Sequence, residues 1–336
     1  MKKYLIKKTG KFYKANLHCH SNISDGKLTP NELKELYKSL GYSIVAFTDH
    51  DVFIPHNDLT DENFLALNGF EVEIDDDKRH PITTEKKRCH LCFVALDKDI
   101  KNQVCWHREK YQFGNAIKWR DKVSFNETLP DYERKYSPEC INDMIKKGRD
   151  ANFFVTYNHP IWSCEDYSDY SNYKGMNAME VVNYASLYDG YPEKCEREYD
   201  DIIRRGNRVY AVCADDNHNF KEDYGGGFVQ IKADKLDYES IAKSLKNGQF
   251  YASTGPQIKA IYLEDHKLTV KTSGVKTIRF STGKVRACAV HAEKGKTINT
   301  ATFTVKDDDC YFRITAVDKH GECAYTHAYF IADLFK

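Results

Sequence analysis

Two hydrophobic periods alternate along the first three quarters of the chain. Residues 12–20 (F-Y-K-A-N-L-H-C-H) read as a strand. Thr29-Pro30-Asn31-Glu32 then opens a helix, with Thr29 as N-cap, Pro30 at the first helical position and Glu32 closing a capping box. Leu33, Leu36, Tyr37 and Leu40 form its apolar stripe and Gly41 ends it. Residues 42–47 read as a buried strand, so the order strand, helix, strand favours parallel pairing. The rhythm returns with a helix from Ser137-Pro138 to Gly148 and strands at 152–157 and 178–183. A helix near 193–205, a strand at 208–214 and a helix near 238–247 follow. Residues 98–135 interrupt it with interleaved basic and aromatic side chains, among them Trp106, Arg108, Tyr111, Phe113, Trp119 and Arg120. That stretch reads as an insertion, either a loop capping a pocket or an RNA-binding arm, and the cap is the simpler reading.

After the S-T-G-P turn at 253–256 the pattern changes. Short alternating runs follow at 258–263, 268–272, 277–281, 286–291, 300–305, 311–317 and 324–331, with no helix signal. They predict a small β-sandwich. The expected division is therefore an α/β unit over 1–255, with 98–135 inserted, and an accessory unit over 256–336.

Composition narrows the function classes. The 336 residues are 41% apolar, enough for a real core, and 50 basic residues balance 50 acidic ones. A formal net charge of zero gives no global attraction to nucleic acid or to a membrane, and a small-molecule substrate is the expected partner. Lys7 and Lys8 interrupt the apolar run a secretory leader needs, and no stretch is long enough to span a bilayer. Eleven scattered Cys, with a lone C-x-x-C at Cys89 and Cys92 inside an apolar run, read as core thiols in a reducing, cytoplasmic setting.

The chemistry lies in His and carboxylate positions. His18 and His20 are two apart on an extended segment, which puts both rings on one face. Asp25 follows in the S-D-G turn. His50 ends the next strand in F-T-D-H-D, His90 lies in C-H-L-C-F, His159 follows a strand in Y-N-H-P, and Asp216 and His218 follow another in A-D-D-N-H-N. G-F-E-V-E offers Glu71 and Glu73, which period two places on the same face, and A-D-D-N offers Asp215 and Asp216. In an α/β barrel the strand ends form one rim, so these residues would converge. Imidazole with carboxylate suits Zn, Mn or Fe, and six His with three carboxylates exceed the needs of one tetrahedral ion.

These motifs together resemble the polymerase-and-histidinol-phosphatase (PHP) superfamily of metal-dependent phosphoesterases. The resemblance runs from about residue 12 to 255 through His18-Cys19-His20 with Ser24-Asp25-Gly26, Thr48-Asp49-His50, Asn158-His159-Pro160 and Asp216-Asn217-His218. It implies a distorted (β/α)7 barrel holding two or three divalent ions and selects Glu71 and Asp216 from their pairs. The implied ligands are His18, His20, Glu71 and Asp216 for one ion, Asp25, His50 and His218 for a second, and Glu71, His90 and His159 for a third. Asp49, Asp215 and Tyr157 are expected as supporting or proton-shuttling groups. E-V-V-N at 180–183 and G-Q-F-Y-A-S-T-G-P at 248–256 resemble more finely a carbaryl-hydrolase-like branch, whose members can cleave carbamates or amides. One departure counts against phosphate: no Arg follows His159-Pro160, and a basic donor would have to come from Lys78, Arg79 or the insertion. The expected activity is phosphoester hydrolysis by metal-activated hydroxide, with carbamate or amide hydrolysis on the same site as the enzymatic alternative. A non-catalytic metal-containing binding module, and a sugar-binding role for the C-terminal unit, are the readings from other classes.

Overall fold

The capping box forms as its sequence predicts. In the computed structural model, which describes residues 2–79, 81 and 84–335, the Thr29 hydroxyl accepts from the Glu32 amide and the Glu32 carboxylate accepts from the Thr29 amide at 2.8 Å. Helix α1 (Pro30–Ser39) buries Leu33 and Tyr37. It connects β2 (Lys11–Asn16) to β3 (Ile44–Phe47), which pair in parallel, and β4 (Leu65–Arg79) continues in parallel on β3. β5 (Lys86–Ala95) turns back antiparallel on β4. Residues 98–135 contribute β6 (Asn102–Gln103), β7 (Ser124–Phe125) and a 3-10 run over Gly114–Lys122. Helix α2 (Pro138–Asp150) leads into β8 (Phe153–Tyr157), and β9 (Ala178–Asn183) and β10 (Tyr210–Ala214) extend the sheet in parallel. β11 (Phe228–Ala233) and β12 (Phe250–Ser253) add to the other side of β2, antiparallel.

The sheet is larger than the sequence suggests. β12 pairs with β19 (Cys323–Tyr325), so the ladder runs on through β18 (Tyr311–Val317), β15 (Thr277–Thr282) and β16 (Ala287–His291). Against this continuation lies a four-stranded sheet of β1 (Lys2–Tyr4), β13 (Ile258–Glu264), β14 (Lys267–Val275) and β17 (Ile298–Thr304). Ile261, Val270, Phe280 and Ile314 from the two sheets share one apolar core. The last alternating run, expected as one strand, splits into β19 and β20 (Tyr329–Phe330), with a short helix at Ile331–Leu334. Residues 2–6 fall on the far side of the expected division: β1 pairs with β13, and Leu5 and Ile6 pack in that second core. A three-residue polar strand has no periodicity to read, so only its pairing partner reveals it.

Strand pairing leaves an open ladder among the described residues, with β10 at one end. Its edge is joined to β2 beyond the strand ends. The His20 amide donates to the Asn217 carbonyl at 3.1 Å and the Asp216 amide to the His18 carbonyl at 3.0 Å. The strand expected to reach His20 thus stops at Asn16, and the two imidazoles sit on an extended continuation bridged to the loop after β10. No helix among the described residues is long and apolar enough to cross a membrane.

Candidate metal centre

Short loops at the strand ends carry most of the chemistry, and buried polar side chains lock them. Asn16 accepts from the His18 and Asp215 amides at 3.3 and 3.0 Å and donates to the His18 carbonyl at 2.8 Å. Asp49 accepts from the backbone amides and hydroxyls of both Ser21 and Ser24, at 2.7–3.2 Å, which fixes the turn that presents Asp25. Gly26 is needed in that turn, because a Cβ there would lie 2.5 Å from the His20 carbonyl oxygen. Asp215 accepts from the amides of Gly225, Gly226 and Gly227 and from the Tyr37 hydroxyl, at 2.7–3.0 Å, and so holds the loop that carries Asp216 and His218. Asp51, His159 and Asp216 have φ of 56°, 23° and 56°, conformations that non-glycine residues adopt only where the surroundings enforce them.

All nine residues singled out as ligands converge, and Glu71 lies at their centre. It is 1% exposed. Its Oε2 lies 3.2 Å from His18 Nε2, 3.3 Å from His20 Nε2 and 3.4 Å from His50 Nδ1. Its Oε1 lies 3.2 Å from His90 Nδ1 and 3.5 Å from His159 Nε2, and accepts from the Asn158 side-chain Nδ2 at 2.6 Å. Asp216 Oδ1 completes one cluster at 3.1 Å from His18 Nε2 and 3.0 Å from His20 Nε2. Asp25 gathers another, with His20 Nδ1 and His50 Nε2 at 3.7 Å and His218 Nε2 at 3.4 Å. His20, Asp25, His50 and His218 form one set of donors close enough to share an ion; His18, His20, Glu71 and Asp216 form a second, and Glu71, His90 and His159 a third. The Glu71 and Glu73 ambiguity resolves by depth: Glu73 sits at the rim, 3.2 Å from the outer nitrogen of His90.

The electrostatics are those of a site built for cations. Burial raises the cost of ionising Glu71, yet the surrounding His18, His90 and His50 hold it well below the usual carboxylate range. Burial opposes protonation of His18 and His20, but Asp216 and Glu71 raise both well above the ordinary imidazole value. For His90, burial is outweighed by Glu71 and Glu73, and the ring is pushed up to about 10. His50 goes down to about 4 through burial and the charge on His20. His20 Nδ1, His50 Nδ1, Glu71 Oε2 and His90 Nε2 are buried without a hydrogen-bond partner. Buried polar atoms of this kind need a partner, and a divalent ion is the partner that imidazole and carboxylate suit.

Two residues of the site are absent from the sequence-based set. Glu180 accepts from, or pairs with, His18 Nδ1 at 2.8 Å and takes the His159 amide at 3.1 Å. A carboxylate behind a ligand imidazole fixes its tautomer and orientation. The signal was a lone acid in the apolar run A-M-E-V-V-N, which has to be paired if buried. Arg88 is the other. It lines the cavity over the cluster, whereas Lys78 and Arg79 do not. It precedes His90 by two on β5, so strand period alone puts both on one face. The cavity measures about 530 Å³ and is also walled by Phe113, Trp162 and Phe220.

Asp49, Asp215 and Tyr157 do not line that cavity. Asp49 and Asp215 hold loops, as above. The Tyr157 hydroxyl donates to Glu165 at 2.5 Å, and Tyr136 and Tyr173 donate to the same carboxylate. Burial pushes Glu165 up to about 8 despite the three phenols. A carboxyl raised above its unfolded value contributes stability below about pH 4.5 that is lost as pH rises toward 8. Glu165→Gln is therefore expected to melt progressively higher relative to wild type, by a few °C, as pH is raised from 5 to 8. Parallel melting curves for the two proteins across that range would contradict the assignment.

Sequence comparison matches residues 16–172, which hold Glu71 and six of the other eight residues, to the PHP domain family. Residues 16–172 are a PHP domain. The two remaining members of the cluster, Asp216 and His218, come from beyond the matched PHP segment and reach it through the β10 loop. No curated protein matches the chain. Solved structures similar to it include a two-domain Bacteroides vulgatus protein containing a predicted PHP-like metal-dependent phosphoesterase, at 14% identity and TM-score 0.44, covering 96% of this chain and 98% of that one. An amidohydrolase of Chromobacterium violaceum is similar at 15% identity and TM-score 0.37, over 63% of this chain and 89% of that one.

Proposed function

We propose that the protein is a metal-dependent hydrolase that cleaves phosphoesters, using two or three divalent ions of the zinc, manganese or iron type. The observation that carries this reading is Glu71, a buried carboxylate facing five imidazoles at 3.2–3.5 Å with one oxygen left without a hydrogen bond. A bridging carboxylate between ions is the arrangement such a group suits. His18, His20 and Asp216 would complete one ion's ligands, Asp25, His50 and His218 a second, and His90 and His159 a third. Ions bound there would supply hydroxide near neutral pH and offset charge developing on the substrate's oxygens.

The chain's own groups orient that set. Glu180 holds His18, Asn158 holds Glu71, and the Ser163 hydroxyl lies 3.2 Å from His159 Nδ1. The cavity is of a size for a small molecule rather than a polymer. On the same reading the sheet curls as a distorted barrel, supported by the bonds between the β2 and β10 loops.

A second reading, carbamate or amide hydrolysis, is favoured by the acidic wall of Glu73, Asp189 and Asp223, which suits an uncharged substrate. The deciding experiment strips the protein with chelator, reloads it with Zn, Mn or Fe, and assays phosphomonoesters, phosphodiesters, carbamates and amides. Metal-dependent turnover of phosphoesters is the expected result. Turnover of carbamates or amides alone would replace the first reading with the second, and an inert metal-replete protein would overturn both.

A further inference from the structure

The wall of the cavity contains two cations, and their commitments differ. Lys221 pairs with Asp189. Arg88 faces Asp75 with Nε 3.5 Å from Oδ1, and that contact is not closed: both atoms are buried without a hydrogen-bond partner. The guanidinium instead lies over the Trp162 ring, 5.3 Å from its centroid. Trp162 in turn stands edge-on to His90 and His159, at 5.3 and 5.0 Å between centroids. This indole is a fixed platform. The buried Glu193 carboxylate accepts from the Ile161 and Trp162 amides at 3.0 and 2.7 Å, and the Arg88 amide donates to the Ser163 carbonyl at 3.0 Å. An arginine so placed is pre-organised: its stem is anchored in β5, its face is covered by an indole, and its Nε, in ion-pair range of Asp75, makes no hydrogen bond.

We infer that Arg88, backed by Trp162, is the group that grips the phosphoryl oxygens of the substrate. It supplies the basic donor missing after His159-Pro160, from the adjoining strand instead of the same loop. This rests on the phosphoester reading above and sharpens it. A planar fork engages two oxygens of a terminal phosphate at once, whereas a diester offers only one pair of charged oxygens, which the ions would also claim. The favoured class is therefore phosphomonoesters. Glu73, Asp75, Asp189 and Asp223 would repel an approaching dianion, so a phosphate substrate requires a cation in this wall.

The test is calorimetric binding of inorganic phosphate to metal-loaded wild type, Arg88→Met and Arg88→Lys, with metal content measured on each sample. Turnover of phenyl phosphate and of the neutral ester phenyl acetate is followed in parallel. Arg88→Met is expected to keep its metal and to bind phosphate about 10- to 100-fold more weakly. Arg88→Lys should recover part of that loss, because it restores charge without the fork. Turnover of phenyl phosphate should fall in step, while any turnover of phenyl acetate stays as in wild type. Phosphate binding by metal-replete Arg88→Met as tight as wild type would overturn the inference and leave the hydrolase reading standing. A wild-type protein that takes up no metal would overturn both.

Discussion

Glu71→Gln is expected to cost at least one ion per chain and on the order of 10³-fold in kcat/KM, the ~4 kcal/mol of charge stabilisation that metal assistance supplies. The reason is position. Glu71 reaches five imidazoles, whereas Asp216 reaches three and Asp25 reaches three. The amide keeps the shape and the contact with Asn158 but offers one fewer anionic oxygen for bridging. Elemental analysis of purified variant and wild type reads the metal directly, and steady-state kinetics read the rate. Glu73→Gln is the matched control. Among the imidazoles it touches the outer nitrogen of His90, so it should retain its metal and lose about 10- to 100-fold, as removal of an orienting group does. Equal metal content in Glu71→Gln and wild type would remove Glu71 from the centre of the site.

The second large effect lies in residues 98–135. Arg134 and Asp51 form an ion pair with side chains 3% and 1% exposed. Arg134 Nη1 also donates to Asp51 Oδ2 at 3.1 Å and to the Glu73 carbonyl at 2.9 Å, and its guanidinium stacks on Tyr111 at 4.2 Å. Burial raises the pKa of Asp51 and Arg134 lowers it. Arg134→Met leaves that carboxylate buried beside His50 with no counter-charge and should destabilise the protein by about 3–5 kcal/mol. Phe113 packs against His50 at 5.0 Å and Asn115 donates to the Ser24 carbonyl at 3.1 Å, so the segment rests on the ligand loops at several points. The loss should therefore appear as faster proteolysis within residues 98–135 as well as a lower urea midpoint. Asp51→Asn combined with Arg134→Met removes both charges, and Asn tolerates the positive φ at that position. The double variant should recover more than half of the loss. If Arg134→Met alone unfolds at the wild-type midpoint with unchanged proteolysis, the clamp has no energetic role.

Some of this was readable without coordinates and some was not. The helix at Thr29-Pro30, the strand at 178–183 and the short runs after residue 257 carry their periods and caps in local sequence, where propensity and patterning agree. His18 and His20 were legible as a same-face pair, and their Nε2 atoms do lie 3.0 Å apart. The continuous ladder from β12 into β19 was not legible, because strand pairing at a separation of some seventy residues leaves no trace in either segment. Glu180 and Arg88 had no role assigned because each is a single charged residue in a strand: Glu180 entered only as the first letter of E-V-V-N, and Arg88 lies in no motif.

Residue type and spacing alone determined which donors this protein brings to its site: the His and acid positions follow strands or sit within them, and a strand end has one side of the sheet to face. The family resemblance had picked Glu71 and Asp216 from their pairs, and what only the tertiary structure supplied is the physical reason for that rank. Glu71 rather than Glu73 is central, and Asp216 rather than Asp215 faces the imidazoles, because one of each pair is spent on other contacts or left at the rim. Arg88 rather than Lys78 or Arg79 reaches the cavity. Depth, and the partners that claim a charge first, are properties of the packed molecule, and neighbours in sequence do not carry them.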